Sequence, residues 1–206
     1  VNIKSFDNVC TSTKKIHVVG NGPLNDEDRD KISSASCVLR FNDMRNMREN
    51  ESSNIVAMRN MFLHLLEKDD KYKNIAVLPV IERDDDFIGI GMNHSTLLPI
   101  FVSETQHDKR KFTDDFLFPH CSAKKQHTEA PWGPSTGAAV LNYLENMTSV
   151  EEIEVFGMNW NFHLKNYGGG TKIYDTKLHH MGNEGKIVNS CCKKCVIHTP
   201  PKETYY

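Results

Sequence analysis

The run Val18-Val19-Gly20-Asn21-Gly22-Pro23-Leu24 is the most informative part of the chain about its fold. It starts as an apolar β-strand and leads into a Gly-Asn-Gly turn, as at the carboxyl ends of strands in open α/β sheets, where ligands bind. Glycine lets a backbone approach a ligand closely, and the Asn21 amide can both donate and accept hydrogen bonds. A dinucleotide fingerprint would need a third glycine where Asn25 stands, and no Gly-Lys-Ser/Thr of a P-loop follows. Taken alone, the run is equally typical of an ordinary strand-to-helix turn.

Short apolar runs bounded by Gly, Asn and Pro occur on both sides of this turn. They are typical of strands buried on both faces of a parallel sheet. Helical patterns cover residues 61–67 and 137–146. The alternation predicts an α/β layered fold with a mainly parallel central sheet. The predicted strands are Ile16–Gly20, Cys37–Phe41, Ile55–Met58, Ile75–Leu78, Ile153–Phe156 and Val196–His198.

Length and charge limit the classes of protein to consider. The chain has 206 residues, 38% of them hydrophobic, which suits a single domain with its own core. The formal net charge of −2 shows no excess of the basic residues that bind phosphate backbones, so we expect no nucleic-acid partner. No run of about twenty apolar residues is present that could span a bilayer. Because the chain begins at Val1, we expect membrane contact only through an upstream anchor that has been removed.

Residues 84–132 fit the strand-helix alternation least well. The segment is polar, contains Asp84-Asp85-Asp86, and carries His107, His120 and His127 without clear periodicity. Long segments of this kind in compact domains are usually functional. We therefore treat residues 1–206 as one domain, in which about 84–132 form a variable lid or acceptor region.

The six cysteines are compatible with a secretory compartment. Cys191, Cys192 and Cys195 continue a helical apolar pattern that begins at Ile187 and Val188, so we expect buried thiols that pack as small hydrophobes. Zinc is disfavoured, because the single Cys-x-x-Cys has no second pair at ligand spacing. Six cysteines allow about fifteen pairings. Among those left open are Cys37 with Cys121 and Cys10 with Cys195.

A second strand also ends in a side-chain amide. Val38–Phe41 is followed directly by Asn42, twenty-one residues after Asn21. We expect the two amides at the ends of neighbouring strands, facing one crevice. The alternative is that Asn42 caps a turn.

A third motif, Pro134-Ser135-Thr136-Gly137, precedes an alanine-rich helical stretch. Hydroxyl residues here predict a helix N-terminus, whose free N–H groups and partial positive charge can bind an anion. The alternative is a simple N-cap. A fourth motif comprises Lys172-Ile173-Tyr174-Asp175 and then His179, His180 and Glu184, between a glycine-rich loop and the last helix. We expect Asn183 to cap that helix and Glu184 to lie at its positive end.

In this order, the motifs resemble the sialylmotifs of eukaryotic sialyltransferases, glycosyltransferase family 29, including algal and plant relatives. The large motif is similar to residues 18–42, the small motif to 134–158, the third to 172–175, and the very small motif, His-x4-Glu, to His179 and Glu184. The resemblance spans roughly residues 16–198 and implies a GT-A-like (Rossmann-like) α/β/α sandwich. It also implies the Golgi lumen, as the soluble catalytic part of a type II membrane protein.

The resemblance implies an inverting, metal-independent transfer of sialic acid from CMP-sialic acid to a hydroxyl of a glycan acceptor. His179 would take the proton of that hydroxyl. The residues expected at the donor are Asn21, Gly22, Asn42, Ser135, Thr136, Gly137, Lys172 and Tyr174. Asn21 and Asn42 would hold the phosphate and ribose of CMP. Ser135, Thr136 and Gly137 would bind the donor through hydroxyls and helix amides. Lys172 or Tyr174 would stabilise the leaving phosphate.

The chain departs from the family pattern at particular residues. His17 and Lys172 stand where the family usually has a cysteine and a histidine, and no cysteine lies at 146–148 to form the usual bridge between the large and small motifs. The alternatives are a transferase of Kdo, a related sugar, from CMP-Kdo, and a degenerate nucleotide-binding module. An NAD oxidoreductase is disfavoured by Asn25. Asp84-x-Asp86 fits a metal clamp for diphosphates, but a monophosphate donor needs none, so we expect neither metal nor cofactor.

Overall fold

The computed structural model describes residues 2–10, 14–81, 94–102, 118, 121, 134–158 and 181–199. The strands are β1 Asn2–Ile3, β2 Lys15–Val19, β3 Val38–Phe41, β4 Ile55–Arg59, β5 Ala76–Ile81, β6 Ser95–Thr96, β7 Ile100–Phe101, β8 Glu152–Phe156 and β9 Cys195–Ile197. The α-helices are α1 Phe6–Val9, α2 Asp26–Ser33, α3 Thr136–Glu145 and α4 Met181–Cys191, and 3-10 helices cover Asn60–Leu65 and Asp70–Tyr72. In the described ranges, no helix is both long enough and apolar enough to cross a bilayer.

All paired strands run parallel in one sheet. Their spatial order is β1-β6-β5-β4-β3-β2-β8-β9, and β7 pairs with β5 beside this path. The prediction of an α/β fold with a mainly parallel central sheet is therefore confirmed. Because the strands are parallel, all their carboxyl ends lie along the same edge of the sheet.

Alternate residues of the strands pack against helices on opposite faces of the sheet. Ile16 and Val18 of β2 belong to a core shared with α1, α3 and α4, whereas Val19 packs with Ile32 of α2 and with Phe156. Since side chains alternate along a strand, both faces of β2 are covered, and residues 16–19 are all buried. This arrangement is the α/β/α sandwich, and it explains why the strands were visible as continuous apolar runs.

Helix α2 was not predicted, because it carries little hydrophobic periodicity: Ile32 is its one buried apolar residue. Its start is specified by hydrogen bonding instead. Asn25 Oδ1 accepts from the N–H of Asp28 at 2.7 Å, and Asp28 Oδ2 accepts from the N–H of Asn25 at 3.3 Å. This is a capping box, worth roughly 1 kcal/mol for the cap residue. Asn25, the residue at odds with a dinucleotide fingerprint, is thus an N-cap.

Part of the predicted lid belongs to the sheet. Strands β6 and β7 lie within residues 84–132 and pair with β5. The lid prediction is not confirmed for residues 94–102. These two strands escaped prediction because two residues are too short to produce a visible alternation. Asp84-Asp85-Asp86, His107, His120 and His127 lie outside the described residues.

All six cysteines form disulfides, pairing Cys10 with Cys37, Cys121 with Cys191, and Cys192 with Cys195. The prediction of thiols is wrong, although Cys191 and Cys192 are buried as expected. The helical pattern also extends less far than predicted, since α4 ends at Cys191 and Cys195 lies in β9. The Cys37–Cys121 and Cys10–Cys195 bridges, which the sequence left open, are not formed.

Candidate functional site

The order in which the chain adds strands to the sheet reverses at β2. From β2 the chain adds β3, β4 and β5 on one side, crosses back through α3, and places β8 on the other side of β2. Such a switch point opens a crevice at the carboxyl ends of the strands and is the usual ligand site of doubly wound folds. We call the residues that follow β2, β3, β4 and β8, together with the N-terminus of α3, the carboxyl edge.

The glycines of the carboxyl edge allow two loops to pack backbone to backbone. Gly20 donates its N–H to Phe156 O at 2.8 Å, and Gly22 donates to Gly157 O at 2.9 Å. A Cβ on Gly20 would lie 2.4 Å from Gly157 O, so a larger residue has no room. Gly157 has φ +57°, in the left-handed region that favours glycine. The Gly22 N–H is therefore used within the protein, and the glycines shape the turn that presents Asn21.

The amide of Asn21 is held from one side. Its Nδ2 donates to Phe41 O at 3.3 Å and to Asp43 Oδ1 at 3.0 Å. Its Oδ1 is buried and has no hydrogen-bond partner among the described residues. Flipping the amide would place oxygen against two acceptors, so the network fixes its orientation. Asn21 therefore has a buried acceptor atom whose hydrogen-bonding capacity is unused among the described residues.

Asn42 points towards β4 and not towards Asn21. Its Oδ1 accepts from the N–H of Arg59 at 3.1 Å, which is the turn-capping role considered from the sequence. Its carbonyl accepts from the Tyr72 hydroxyl at 3.0 Å. Burial raises the pKa of Tyr72 well above its usual value, so this hydroxyl stays protonated and can donate.

Asp43 and its cations were missed by sequence reasoning. Asp43 accepts from Asn21 and forms an ion pair with Arg45, whose guanidinium approaches to 2.6 Å. Lys71 Nζ donates to the Asp43 carbonyl at 2.7 Å. The carboxylate directly after the β3 strand could have indicated Asp43. Nothing in the sequence spacing indicates Lys71, since it reaches the site from a 3-10 helix.

The N-terminus of α3 lies at the same edge, as predicted. Ser135 is its N-cap, with Oγ accepting from the N–H of Ala138 at 3.2 Å. Arg59 Nε donates to Thr136 Oγ1 at 3.3 Å, and the same guanidinium donates to Pro134 O. Arg59 thus links the Asn42 turn to the helix terminus. The N–H groups of Thr136 and Gly137, in the first helical turn, have no backbone partner within the helix and point out of the terminus.

Glu184 connects the last helix to this terminus. It lies in the first turn of α4, is 3% exposed, and accepts from the Ser135 N–H at 2.7 Å through Oε1. The predicted place of Glu184 at the positive end of the helix is confirmed. The prediction of Asn183 as N-cap is wrong, since α4 starts at Met181. Lys172, Tyr174, His179 and His180 lie outside the described residues.

The carboxyl edge therefore gathers Asn21, Gly22, Asn42, Ser135, Thr136 and Gly137. In the part of the chain that the structure describes, no group of three or more His, Cys, Asp or Glu could hold a metal ion. The chain matches no protein-family model, no curated protein and no solved structure.

Proposed function

We propose that this protein is an inverting glycosyltransferase that moves sialic acid from CMP-sialic acid to a hydroxyl of a glycan acceptor. One contact carries the proposal. Ser135 donates its N–H to the Glu184 carboxylate at 2.7 Å, across 49 residues of chain. It joins the motif assigned to the donor with the motif that contains the assigned base.

The donor would lie along the carboxyl edge. Helix amides at Thr136 and Gly137 suit the single phosphate of a CMP-sugar, because the helix dipole favours an anion there. The Glu184 carboxylate already occupies the Ser135 N–H, so Glu184 acts as a positioning residue and not as a donor ligand. Asn21 offers Oδ1, an acceptor suited to a hydroxyl such as those of the ribose.

The reaction would break the bond between the anomeric carbon and the CMP phosphate oxygen, whose electron pair leaves with CMP. The acceptor oxygen forms the new bond from the opposite face, and His179 removes its proton. Lys172 or Tyr174 would offset the charge growing on the phosphate. Four residues lie between His179 and Glu184, so at most about 17 Å of chain would join the base to the anchored helix.

Three disulfides support a lumenal compartment such as the Golgi, because disulfides persist in oxidising environments. The donor sugar is the part of the proposal that most needs a direct measurement. CMP release from CMP-sialic acid and from CMP-Kdo, compared at equal concentration, assigns it. Release from neither donor would contradict a transferase of this class.

His179 is tested by replacement with Ala, and His180→Ala is the matched control. We expect His179→Ala to slow transfer by a factor of about 10² to 10⁴, the usual contribution of a general base, with CMP affinity unchanged. His180→Ala should turn over at close to the wild-type rate. An inactive His180→Ala beside an active His179→Ala would move the base by one position.

A further inference from the structure

A buried polar network lies behind the turn that presents Asn21. Asn46 Nδ2 donates to the carbonyls of both Gly20 and Gly22, at 2.7 Å and 2.8 Å. These are the two glycines that flank Asn21. The N–H groups of Gly20 and Gly22 donate to carbonyls at the end of β8. The two hydrogens of Asn46 Nδ2 therefore satisfy the carbonyls of the same two glycines from the other side.

Arg40 fixes the orientation of that amide. Its Nη1 donates to Asn46 Oδ1 at 3.1 Å, so the oxygen of Asn46 faces Arg40 and the nitrogen must face the turn. Arg40 is fully buried in β3. Burial lowers the pKa of Arg40, and the adjacent Glu51 carboxylate opposes that shift, so the guanidinium stays charged.

Glu51 holds two arginines at once. Its Oε2 accepts from Arg40 Nη2 at 2.8 Å, while Oε1 accepts from Arg29. Arg29 also donates to the carbonyl of Asn46 at 3.2 Å. Buried ions are costly unless their hydrogen bonds are well formed. Asn46 is the member of this network that reaches the turn.

We propose that Asn46 is a positioning residue for the donor site, acting through the Gly20–Gly22 turn to aim Asn21. The inference rests on the proposed function for the identity of the ligand. Asn21 is otherwise fastened from the β3 side alone, by Phe41 O and Asp43. We call the pair of hydrogen bonds from Asn46 to the Gly20 and Gly22 carbonyls the Asn46 clamp. When the clamp is lost, both carbonyls lose their donor and the turn relaxes, which displaces Asn21.

The test replaces Asn46 with Asp. The carboxylate can still accept from Arg40, now as an ion pair, but it cannot donate to the two carbonyls. The change therefore removes the clamp and leaves Arg40 with an acceptor. The matched control is Asn54→Ala. Asn54 Oδ1 accepts from the Val38 N–H at 2.8 Å, and this bond lies at the opposite edge of the sheet.

Two measurements are made on each variant: the affinity for CMP by calorimetry, with donor KM and kcat alongside, and the hydrogen-exchange rate of the Gly22 amide. We expect Asn46→Asp to weaken CMP binding about tenfold or more, raising donor KM more than it lowers kcat, and to speed exchange at Gly22. Asn54→Ala should leave CMP affinity and Gly22 exchange near wild type while lowering the melting temperature. Unchanged CMP affinity in Asn46→Asp would overturn the inference.

The two proposals fail in different ways. A wild-type protein that does not bind CMP contradicts the proposed function, and the clamp is then judged by exchange alone. Faster exchange at Gly22 in Asn46→Asp than in Asn54→Ala supports the clamp, and equal rates overturn it.

Discussion

The two edges of the parallel sheet are held together differently: the amino edge includes a disulfide, and the carboxyl edge is cross-linked by side-chain hydrogen bonds. At the carboxyl edge, side chains cross-link the strand ends, as Asn21 does to Asp43 and as Arg59 does to Thr136. At the amino edge, the disulfide between Cys10 and Cys37 lies just before β3, and an exposed 2.5 Å ion pair joins Lys14 and Glu151 just before β2 and β8.

The difference separates the bonds that stabilise the fold from the bonds that orient the side chains of the proposed site. A covalent bond at the amino edge stabilises the fold without fixing any atom of the proposed site. Directional hydrogen bonds at the carboxyl edge contribute less individually, on the order of 1 kcal/mol each, but they set where functional groups point. Changes at the amino edge should therefore alter the free energy of unfolding, and changes at the carboxyl edge should also alter ligand affinity.

The largest expected effect is at the amino edge. Replacing Cys10 and Cys37 together with Ser opens a loop with a sequence separation of 27. The chain-entropy relation gives a loss of about 3 to 4 kcal/mol in unfolding free energy. The matched variant replaces Cys192 and Cys195, whose separation is 3, with an expected loss of about 2 kcal/mol. Urea unfolding measures both. CMP affinity reduced more than twofold in folded Cys10→Ser/Cys37→Ser protein would break the comparison.

Gly20→Ala should have a smaller effect on stability and a larger effect on binding. Its Cβ would meet the Gly157 carbonyl at 2.4 Å, and that carbonyl cannot move without shifting the loop. We expect about 1 to 3 kcal/mol of destabilisation, as for other overpacked sites, with loss of CMP binding. Gly137→Ala is the control for stability alone, because its Cβ meets the flexible methyl end of Met158 at 2.0 Å. Thermal melts rank the two variants and calorimetry measures CMP binding to Gly20→Ala; a Gly20→Ala that is less destabilised than Gly137→Ala would contradict this account.

The smallest expected effect lies between the two edges. His17 is buried in β2 beside Glu154, Lys15 and His198, and its ring stacks on Phe156 at a centroid distance of 5.6 Å. Burial lowers the pKa of His17 below its ordinary value near 6.5, so the unfolded chain binds the proton more readily.

Stability is therefore expected to fall as pH drops from about 7.5 through the unfolded pKa of His17. His17→Gln should flatten that dependence. Glu154 affects stability in a separate, more acidic pH range. Burial raises its pKa, but hydrogen bonds from Lys15 and His198 outweigh burial and hold the pKa below its usual value near 4.5. Its contribution is lost only as pH falls below that value. Melting temperatures between about pH 5 and 8 test His17, and an unchanged slope in His17→Gln would refute its role.

Strands that are buried on both faces could be predicted from the sequence. β2, β3, β4 and β8 show as apolar runs because their residues contact helices on either side. Strands β6 and β7 could not be, because two residues carry no periodicity. Burial of Cys191 and Cys192 was also predictable, but their pairing depends on which distant residues meet them in space.

At the candidate site, the sequence predicted which strand ends meet but not which side chains touch. Asn42 has φ 47°, and this left-handed residue turns the chain so that Asn42 faces β4 while Asp43 reaches Asn21. Spacing along a chain does not report such a turn. Arg59 and Asn46 were missed for the same reason, since each acts through contacts with segments distant in sequence.

The strand order also allows the width of the sheet to be measured by fluorescence energy transfer. β1 and β9 lie at opposite ends of the strand path, seven spacings of about 4.8 Å apart, or roughly 34 Å along the sheet. Ile3 and Val196 are 51% and 45% exposed, so each can carry a fluorophore with little effect on packing. At this separation energy transfer changes steeply with distance, and a labelled pair would report any opening of the sheet between its two outermost strands.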